Sequence, residues 1–210
     1  MNISKLKAVV FDCDGVLFDT AQSNRTFYDE VLNAFGKPEL NQEQFENVHM
    51  MTVRAAIEYL FPEMEDHAPV YACIKQIGYK KFIPFMKMEE GLVTLLKGIK
   101  ARGWIRGIAT NRTDTMEKVL EDWDLVPFFE VVVTARDVKK AKPHPDELIK
   151  IMDQYGLEPG EIVFIGDSEF DAKAAQSAGV WFIAFKQPSL KADIHVASMA
   201  EVGRALQLNE

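Results

Sequence analysis

Short apolar runs recur along the sequence, and their endings at polar residues constrain the fold more than any other feature. The first run covers residues 8–11, and similar runs span 105–109, 131–133, 162–165 and 180–185. Continuous apolar runs this short are typical of strands that are buried on both faces of a parallel sheet. The sequence therefore predicts an α/β fold with a doubly wound parallel sheet.

Helical patterns fill the intervals between these runs, and several of them end at a glycine. Gly103, Gly156 and Gly179 each stand shortly before the chain re-enters the predicted sheet. Glycine is favoured just after a helix because it adopts the left-handed conformation without a Cβ penalty. This alternation of strand and helix predicts parallel strands joined by right-handed crossovers.

One segment interrupts the alternation directly after the first run. Residues 18–88 carry helical patterns and no convincing strand, and the pattern over Val53–Leu60 ends at Pro62. Because the α/β pattern resumes after this segment, we expect residues 18–88 to form a small helical domain inserted into an α/β core of residues 1–17 and 89–210. The alternative is that these helices only cover the sheet.

Composition limits the classes of partner. The chain carries 32 acidic residues against 24 lysines and arginines, a net charge of -8. We therefore expect no nucleic-acid or membrane partner, and an anionic substrate must be held by local cations or a metal. The two cysteines form no disulfide or zinc pattern, which fits a reducing compartment. No apolar run approaches the roughly 20 residues that span a bilayer, so we expect a cytoplasmic protein.

Polar side chains follow the predicted strands at the points where the strands end. Ligands of open α/β sheets bind beyond these carboxyl ends. The candidates collected there are Asp12, Asp14, Thr110, Asn111, Lys142, Asp167 and Asp171.

Each candidate also has a structural interpretation. A single aspartate after a strand is most often a turn or cap residue, and Ser168 with Asp171 has the spacing of a capping box. Two carboxylates two residues apart, Asp12 and Asp14, point roughly the same way and repel each other unless one is protonated or a cation lies between them. The capping box does not explain Asp167. The order and placement of the whole set, rather than any one member, indicate a site.

Taken together, these segments resemble the haloacid dehalogenase-like (HAD) hydrolase superfamily, in the subgroup with a helical cap inserted after the first strand. Residues 11–20 (FDCDGVLFDT) are similar to the first motif of that family, and Ala109-Thr110-Asn111 to the second. Lys142-Pro143 is similar to the third motif, and Gly166-Asp167-Ser168 through Asp171 to the fourth. The resemblance covers essentially the whole chain and implies a Rossmann-like core with an α-helical cap domain.

The resemblance also implies a mechanism. Asp12 would attack phosphorus and form an aspartyl-phosphate, and Asp14 would protonate the leaving alcohol and then activate water. Mg²⁺ would be held by Asp12, Asp167 and the backbone carbonyl of Asp14. Thr110 and Lys142 would stabilise the transferring phosphoryl group. Asp171 would either ligate the metal through water or orient Lys142, and the sequence leaves both roles open.

The expected substrate is a small phosphorylated metabolite, hydrolysed by a monomer or homodimer. The stretch around Arg54 resembles phosphoglycolate phosphatases, where a basic residue could meet a substrate carboxylate, although an exposed helix arginine is the more ordinary explanation. Asn24, Asn111 and Arg112 are further candidate substrate contacts. Asp14 favours phosphoryl transfer over dehalogenation, because a halide leaving group needs no proton.

Two other functions stay open from the sequence. One is a sugar-phosphate mutase resembling β-phosphoglucomutase, although that branch usually has histidine at the place of Asn24. The other is a non-enzymatic phospho-receiver module, which also uses a phosphorylated aspartate, an acidic metal site and a lysine. Receivers lack both a helical cap and a second acid two residues after the acceptor.

Overall fold

A computed structural model describes residues 1–49 and 51–208 of the 210-residue chain. The described residues divide into two compact units, a core unit of Met1–Phe18 with Met88–Glu210 and an insert unit of Asp19–Lys87. None of the helices in the described part of the chain is both long and apolar enough to span a membrane.

The strands of the described residues are β1 Ala8–Phe11, β2 Phe18–Asp19, β3 Lys87–Met88, β4 Ile105–Thr110, β5 Val131–Thr134, β6 Ile162–Gly166, β7 Trp181–Phe185 and β8 Ile194–Val196. The α-helices are α1 Ala21–Ala34, α2 Gln42–His49, α3 Val53–Leu60, α4 Ala68–Ile77, α5 Leu92–Ala101, α6 Met116–Asp122, α7 Asp146–Tyr155, α8 Glu169–Ala178 and α9 Met199–Ala205. Short 3-10 helices cover Ile3–Lys5, Tyr79–Phe85, Val126–Phe128 and Pro159–Glu161.

The core unit is built on a six-stranded sheet in the order β5-β4-β1-β6-β7-β8, and its strand pairs are parallel. All four residues of β1 are buried, as expected for a central strand covered on both faces. The predicted α/β class with a doubly wound parallel sheet is confirmed. Helices α7 and α8 end at Gly156 and Gly179, both in the left-handed conformation, as the sequence predicts.

The insert unit is helical and has a hydrophobic cluster of its own, which includes Phe27, Val31, Ile57, Leu60 and Phe82. Helix α3 begins at a side-chain cap, because the hydroxyl of Thr52 accepts a hydrogen bond from the backbone N–H of Ala55 at 3.2 Å.

The expectation of no strand within residues 18–88 is wrong at both ends of that segment. Strands β2 and β3 pair with each other where the chain leaves and re-enters the core unit. Each is two residues long, so neither leaves an alternating pattern in the sequence. No apolar run in the sequence marks β8, whose three residues form an edge strand of the sheet and pair with β7.

Candidate active site

The register of three neighbouring strands brings the first candidates together. Phe11 at the end of β1 pairs with Ile108 of β4 on one side and Ile165 of β6 on the other. The next residues of these strands therefore emerge at one edge of the sheet: Asp12 from β1, Thr110 at the end of β4, and Asp167 just after β6. Asp12 stays in the ladder, because its N–H donates to the carbonyl of Ile165 at 2.9 Å.

Lys142 reaches the same edge from the loop before α7. Its Nζ lies 2.8 Å from Oδ1 of Asp12 and 2.7 Å from Oδ1 of Asp171, and it donates to the carbonyl of Ala109 at 3.0 Å. An ammonium group has three N–H donors and no acceptor, so these contacts use its full capacity. Only 4% of Lys142 is exposed. It is a buried cation held between two carboxylates, not a member of a solvated basic run.

Asp171 is held by donors on both carboxylate oxygens. Oδ1 accepts from Lys142, whereas Oδ2 accepts from the backbone N–H groups of Asp167 and Ser168 and from the Ser168 hydroxyl. The Ser168 hydroxyl oxygen in turn accepts a hydrogen bond from the backbone N–H of Asp171, so the predicted capping box of α8 is present. One fully buried carboxylate thus fixes both the start of α8 and the ammonium group of Lys142.

Two glycines allow the acidic side chains to approach the backbone closely. Gly15 has φ of +78°, and a Cβ on it would lie 1.9 Å from Oδ2 of Asp167. A Cβ on Gly166 would lie 2.4 Å from the Cβ of Asp171. Any side chain at either position would therefore overlap a carboxylate of the site, which explains the two glycines beside the two acidic segments.

Burial and crowding shift the ionisation of these groups. Burial raises the pKa of Asp12 to about 7, with Lys142 opposing the shift and Asp171 and Asp14 adding to it. Burial and the neighbouring Asp171 and Asp12 also hold the pKa of Asp167 well above its usual value. The site therefore holds more carboxyl groups than Lys142 alone can keep ionised.

The donor set fits a hard divalent cation. Asp12, Asp167 and Asp171 each offer a carboxylate oxygen, and these oxygens lie within 4.8 Å of one another. Mg²⁺ prefers oxygen ligands and keeps several of its waters, so a few carboxylates suffice to hold it. Because both oxygens of Asp171 already accept hydrogen bonds, Asp12 and Asp167 are the better direct ligands.

Asp14 and Arg112 form a further ion pair in the core unit. Nε of Arg112 donates to Oδ2 of Asp14 and Nη2 donates to Oδ1, each at 2.7 Å. The loop after β4 holds two further contacts, since the N–H of Arg112 donates to the Thr110 hydroxyl at 3.2 Å and Nδ2 of Asn111 donates to the carbonyl of Lys142 at 3.2 Å. The segment after β4 therefore contacts both Asp14, through Arg112, and the backbone of Lys142, through Asn111.

The two remaining candidates, Arg54 and Asn24, belong to the insert unit. The guanidinium of Arg54 pairs with Glu58 one helical turn on at 2.9 Å, and its side chain is 82% exposed. Asn24 lies in a polar cluster, with its Nδ2 3.0 Å from Nδ1 of His49 and its Oδ1 accepting from the Tyr79 hydroxyl.

Glu147 is a buried group that the sequence analysis missed. It lies in the first turn of α7 and is fully buried, and neither carboxylate oxygen has a hydrogen-bond partner among the described residues. Burial raises its pKa to about 8, while the charge of Lys142 acts in the opposite direction. The available signal was its spacing, because Glu147 precedes Ile151 by one turn and so lies on the apolar face of α7.

The described fold defines a Rossmann-like α/β protein with a helical segment inserted after the first strand. The sequence profile of the haloacid dehalogenase-like hydrolases matches residues 9–185. The chain therefore belongs to that family and is a hydrolase, as its four motif-like segments predict.

Similar proteins include a pyrophosphatase, PpaX, of Bacillus pumilus, which is 27% identical over 180 residues covering 85% of this chain and 82% of the relative. A phosphoglycolate phosphatase of Escherichia coli K12 is 28% identical over 199 residues, with 83% and 79% coverage. Among solved structures, a subfamily IA HAD-superfamily hydrolase of Geobacter sulfurreducens is 36% identical, with a TM-score of 0.78 and coverage of 96% and 97%. A β-phosphoglucomutase of Clostridium difficile, at 19% identity and a TM-score of 0.86, shares the fold.

Proposed function

We propose that the protein is a Mg²⁺-dependent phosphatase that hydrolyses a small phosphate monoester through an aspartyl-phosphate on Asp12. The observation that carries the proposal is the arrangement of the Asp12 carboxylate. Its Oδ1 is held by Nζ of Lys142 at 2.8 Å and by the N–H of Cys13 at 2.7 Å. Among the described residues no hydrogen bond reaches Oδ2, so one oxygen is anchored and the other is available to attack.

The first step transfers the phosphoryl group to the enzyme. A bond forms between Oδ2 of Asp12 and phosphorus as the bond from phosphorus to the leaving oxygen breaks, and Asp14 donates a proton to that oxygen. In the second step the ionised Asp14 takes a proton from water, the water oxygen attacks phosphorus, and the bond to Asp12 breaks. Inorganic phosphate and the free alcohol are the products.

Two groups stabilise charge on the transferring phosphoryl group. Lys142 supplies a fixed positive charge, because Asp12, Asp171 and the carbonyl of Ala109 hold its ammonium group in place. Thr110 is 1% exposed at the end of β4 and supplies a hydroxyl. Mg²⁺ on Asp12, Asp167 and the Asp14 carbonyl would offset the repulsion between nucleophile and phosphate when it is bound.

For the substrate we propose a small phosphorylated metabolite, with phosphoglycolate as the first candidate because a relative carries that activity in its name. We propose Arg54, Asn24 and Asn111 as substrate contacts and residues 18–88 as a specificity-setting cap. The pyrophosphatase relative makes pyrophosphate the second compound to test.

A phosphate-release screen tests the reaction. Wild-type protein is expected to release phosphate from at least one small metabolite and from p-nitrophenyl phosphate with Mg²⁺, and to lose that activity in EDTA. Asp12→Asn should lower turnover by about four orders of magnitude or more, as expected when a nucleophile is removed. Asp153→Asn is the matched control, because Asp153 lies on the exposed face of α7. Full activity of Asp12→Asn would contradict the nucleophile assignment.

A further inference from the structure

The Asp14–Arg112 ion pair has the geometry of a rigid fork. Two nitrogens of the guanidinium reach two oxygens of one carboxylate, both at 2.7 Å. The side chains are only 7% and 17% exposed for Arg112 and Asp14, so water does not screen the pair as it would at the surface. A bidentate guanidinium–carboxylate pair fixes the plane of the carboxylate as well as its distance.

Arg112 is itself held from its own loop. Its Nη1 donates to the hydroxyl of Thr115, the residue before α6, at 3.2 Å, and its backbone N–H donates to the Thr110 hydroxyl. Each guanidinium nitrogen therefore has a hydrogen bond within the core unit, two of them to Asp14. A guanidinium held in this way is poorly suited to bind a substrate anion, because the anion would compete with Asp14 for Nε and Nη2.

We propose that Arg112 is a positioning residue that acts through Asp14, holding its carboxylate in the orientation in which it exchanges a proton with the leaving oxygen. This inference rests on the proposed phosphatase function. Arg112 would then act indirectly, by orienting Asp14, and not by contacting the substrate itself.

A positioning role for Arg112 predicts a dependence on the leaving group that a purely structural ion pair lacks. Protonation by Asp14 matters most when the leaving group is a poor one, such as an alkoxide, and least when it is a good one, such as p-nitrophenolate. If Arg112 acts through Asp14, its loss should slow an alkyl phosphate far more than p-nitrophenyl phosphate. A damaged fold would slow both to the same degree.

The experiment is a double-mutant cycle on two substrates, an alkyl phosphate and p-nitrophenyl phosphate, with Mg²⁺ present. We expect Arg112→Gln to lower kcat on the alkyl phosphate by roughly 10- to 100-fold, the range of a partly lost general acid, with KM changed less than about twofold and only a small loss on the aryl ester. In an Asp14→Asn background the same substitution should cause no further loss, because residues that act as a unit are not additive. Arg112→Lys should not restore the rate, since an ammonium group lacks the planar fork.

The matched control is Arg106→Gln, which removes another buried arginine that is paired with a carboxylate, Glu130. It should lower thermal stability without a leaving-group-dependent change in rate. Should Arg112→Gln not fold, Arg112→Lys gives the same leaving-group comparison with the charge retained.

Three results would overturn the inference. A raised KM on both substrates that persists in the Asp14→Asn background would make Arg112 a substrate contact. Equal losses on both substrates would make the pair structural. Full rescue by lysine would make the charge sufficient without the fork. Each of these leaves the proposed function standing, whereas a wild-type protein that releases no phosphate, or an active Asp12→Asn, contradicts the proposed function itself.

Discussion

The two ends of the central sheet both contain a buried cation, but they balance its charge differently. Near the start of β4, Arg106 is 2% exposed and donates from its backbone and side chain to Glu130, one cation with one acid. At the carboxyl end, Lys142 and Arg112 meet Asp12, Asp14, Asp167 and Asp171. The first end has one acid for its one cation, whereas the second has four acids for two cations.

Solvent explains part of this difference. The side chain of Glu130 is 39% exposed, so water and Arg106 share its stabilisation. Although partial burial acts to raise its pKa, the hydrogen bonds from Arg106 outweigh that effect and lower it. At the other end, burial raises the pKa of Asp12 to about 7 despite its lysine partner. The Arg106–Glu130 pair thus stabilises the ionised form of its acid. At the candidate site the buried acids are not stabilised in this way without a further cation.

The largest effect is expected from Lys142→Met, which removes the cation from the crowded end. Turnover should fall by about 10²- to 10³-fold, the range for loss of one charge-stabilising donor. Without Mg²⁺ the free energy of unfolding should fall by about 3–5 kcal/mol at neutral pH, because Asp12 and Asp171 stay buried without their partner. Phosphate release and urea unfolding in EDTA measure the two effects.

Lys139→Met provides the control for this substitution, because Lys139 is exposed in the same lysine-containing loop. It should leave both quantities within error of wild type. If Lys142→Met kept its stability in EDTA at neutral pH, the view of Lys142 as the main counter-charge of Asp12 and Asp171 would be wrong.

A smaller effect is expected from Arg106→Met at the balanced end. The variant loses hydrogen bonds to a charged group, which typically contribute about 1.5–3 kcal/mol. Because Glu130 can turn to solvent, we expect the free energy of unfolding to fall by about 2 kcal/mol. The ratio kcat/KM should stay within about twofold of wild type. Arg136→Met, at an exposed position, is the control. If Arg106→Met lost much activity and little stability, Arg106 would contribute to the reaction at the other end of the sheet, and the contrast between the two ends would be wrong.

Most of the fold follows from local sequence signals. The buried strands β1, β4, β5, β6 and β7 leave apolar runs, and the glycines after α7 and α8 mark helix ends. Strands of two or three residues leave no such pattern, and their existence depends on which partner the tertiary fold supplies.

The candidate site is likewise only partly predictable from the sequence. The types and order of Asp12, Asp14, Thr110, Lys142 and Asp167 are visible in the sequence, since each follows a strand or stands in a motif-like segment. Their pairing is not visible, because it depends on side-chain directions across different loops. The sequence does not determine that Arg112 turns to Asp14, or that both oxygens of Asp171 are occupied.

The smallest effect concerns Glu147, which adds one more acid to the crowded end without a hydrogen-bond partner among the described residues. Its pKa in the folded protein, about 8, lies above the ordinary value of 4.5. The folded state therefore holds a proton that the unfolded state releases between these values, and stability falls as pH rises through that window. Glu147→Gln removes the titration with little change in shape.

Urea unfolding of the two proteins in EDTA, from pH 5 to pH 9, tests this expectation. Asp12 also titrates in this range, and burial and nearby acids raise the pKa of Asp167, but both residues are common to the two proteins. The difference in unfolding free energy should therefore move in favour of Glu147→Gln by about 1 kcal/mol per pH unit up to about pH 8. Glu117→Gln, at an exposed position of α6, should show no such slope. Parallel curves for wild type and Glu147→Gln would mean that Glu147 stays ionised at neutral pH beside Lys142, and the charge at this end would then be further from the balance found around Arg106.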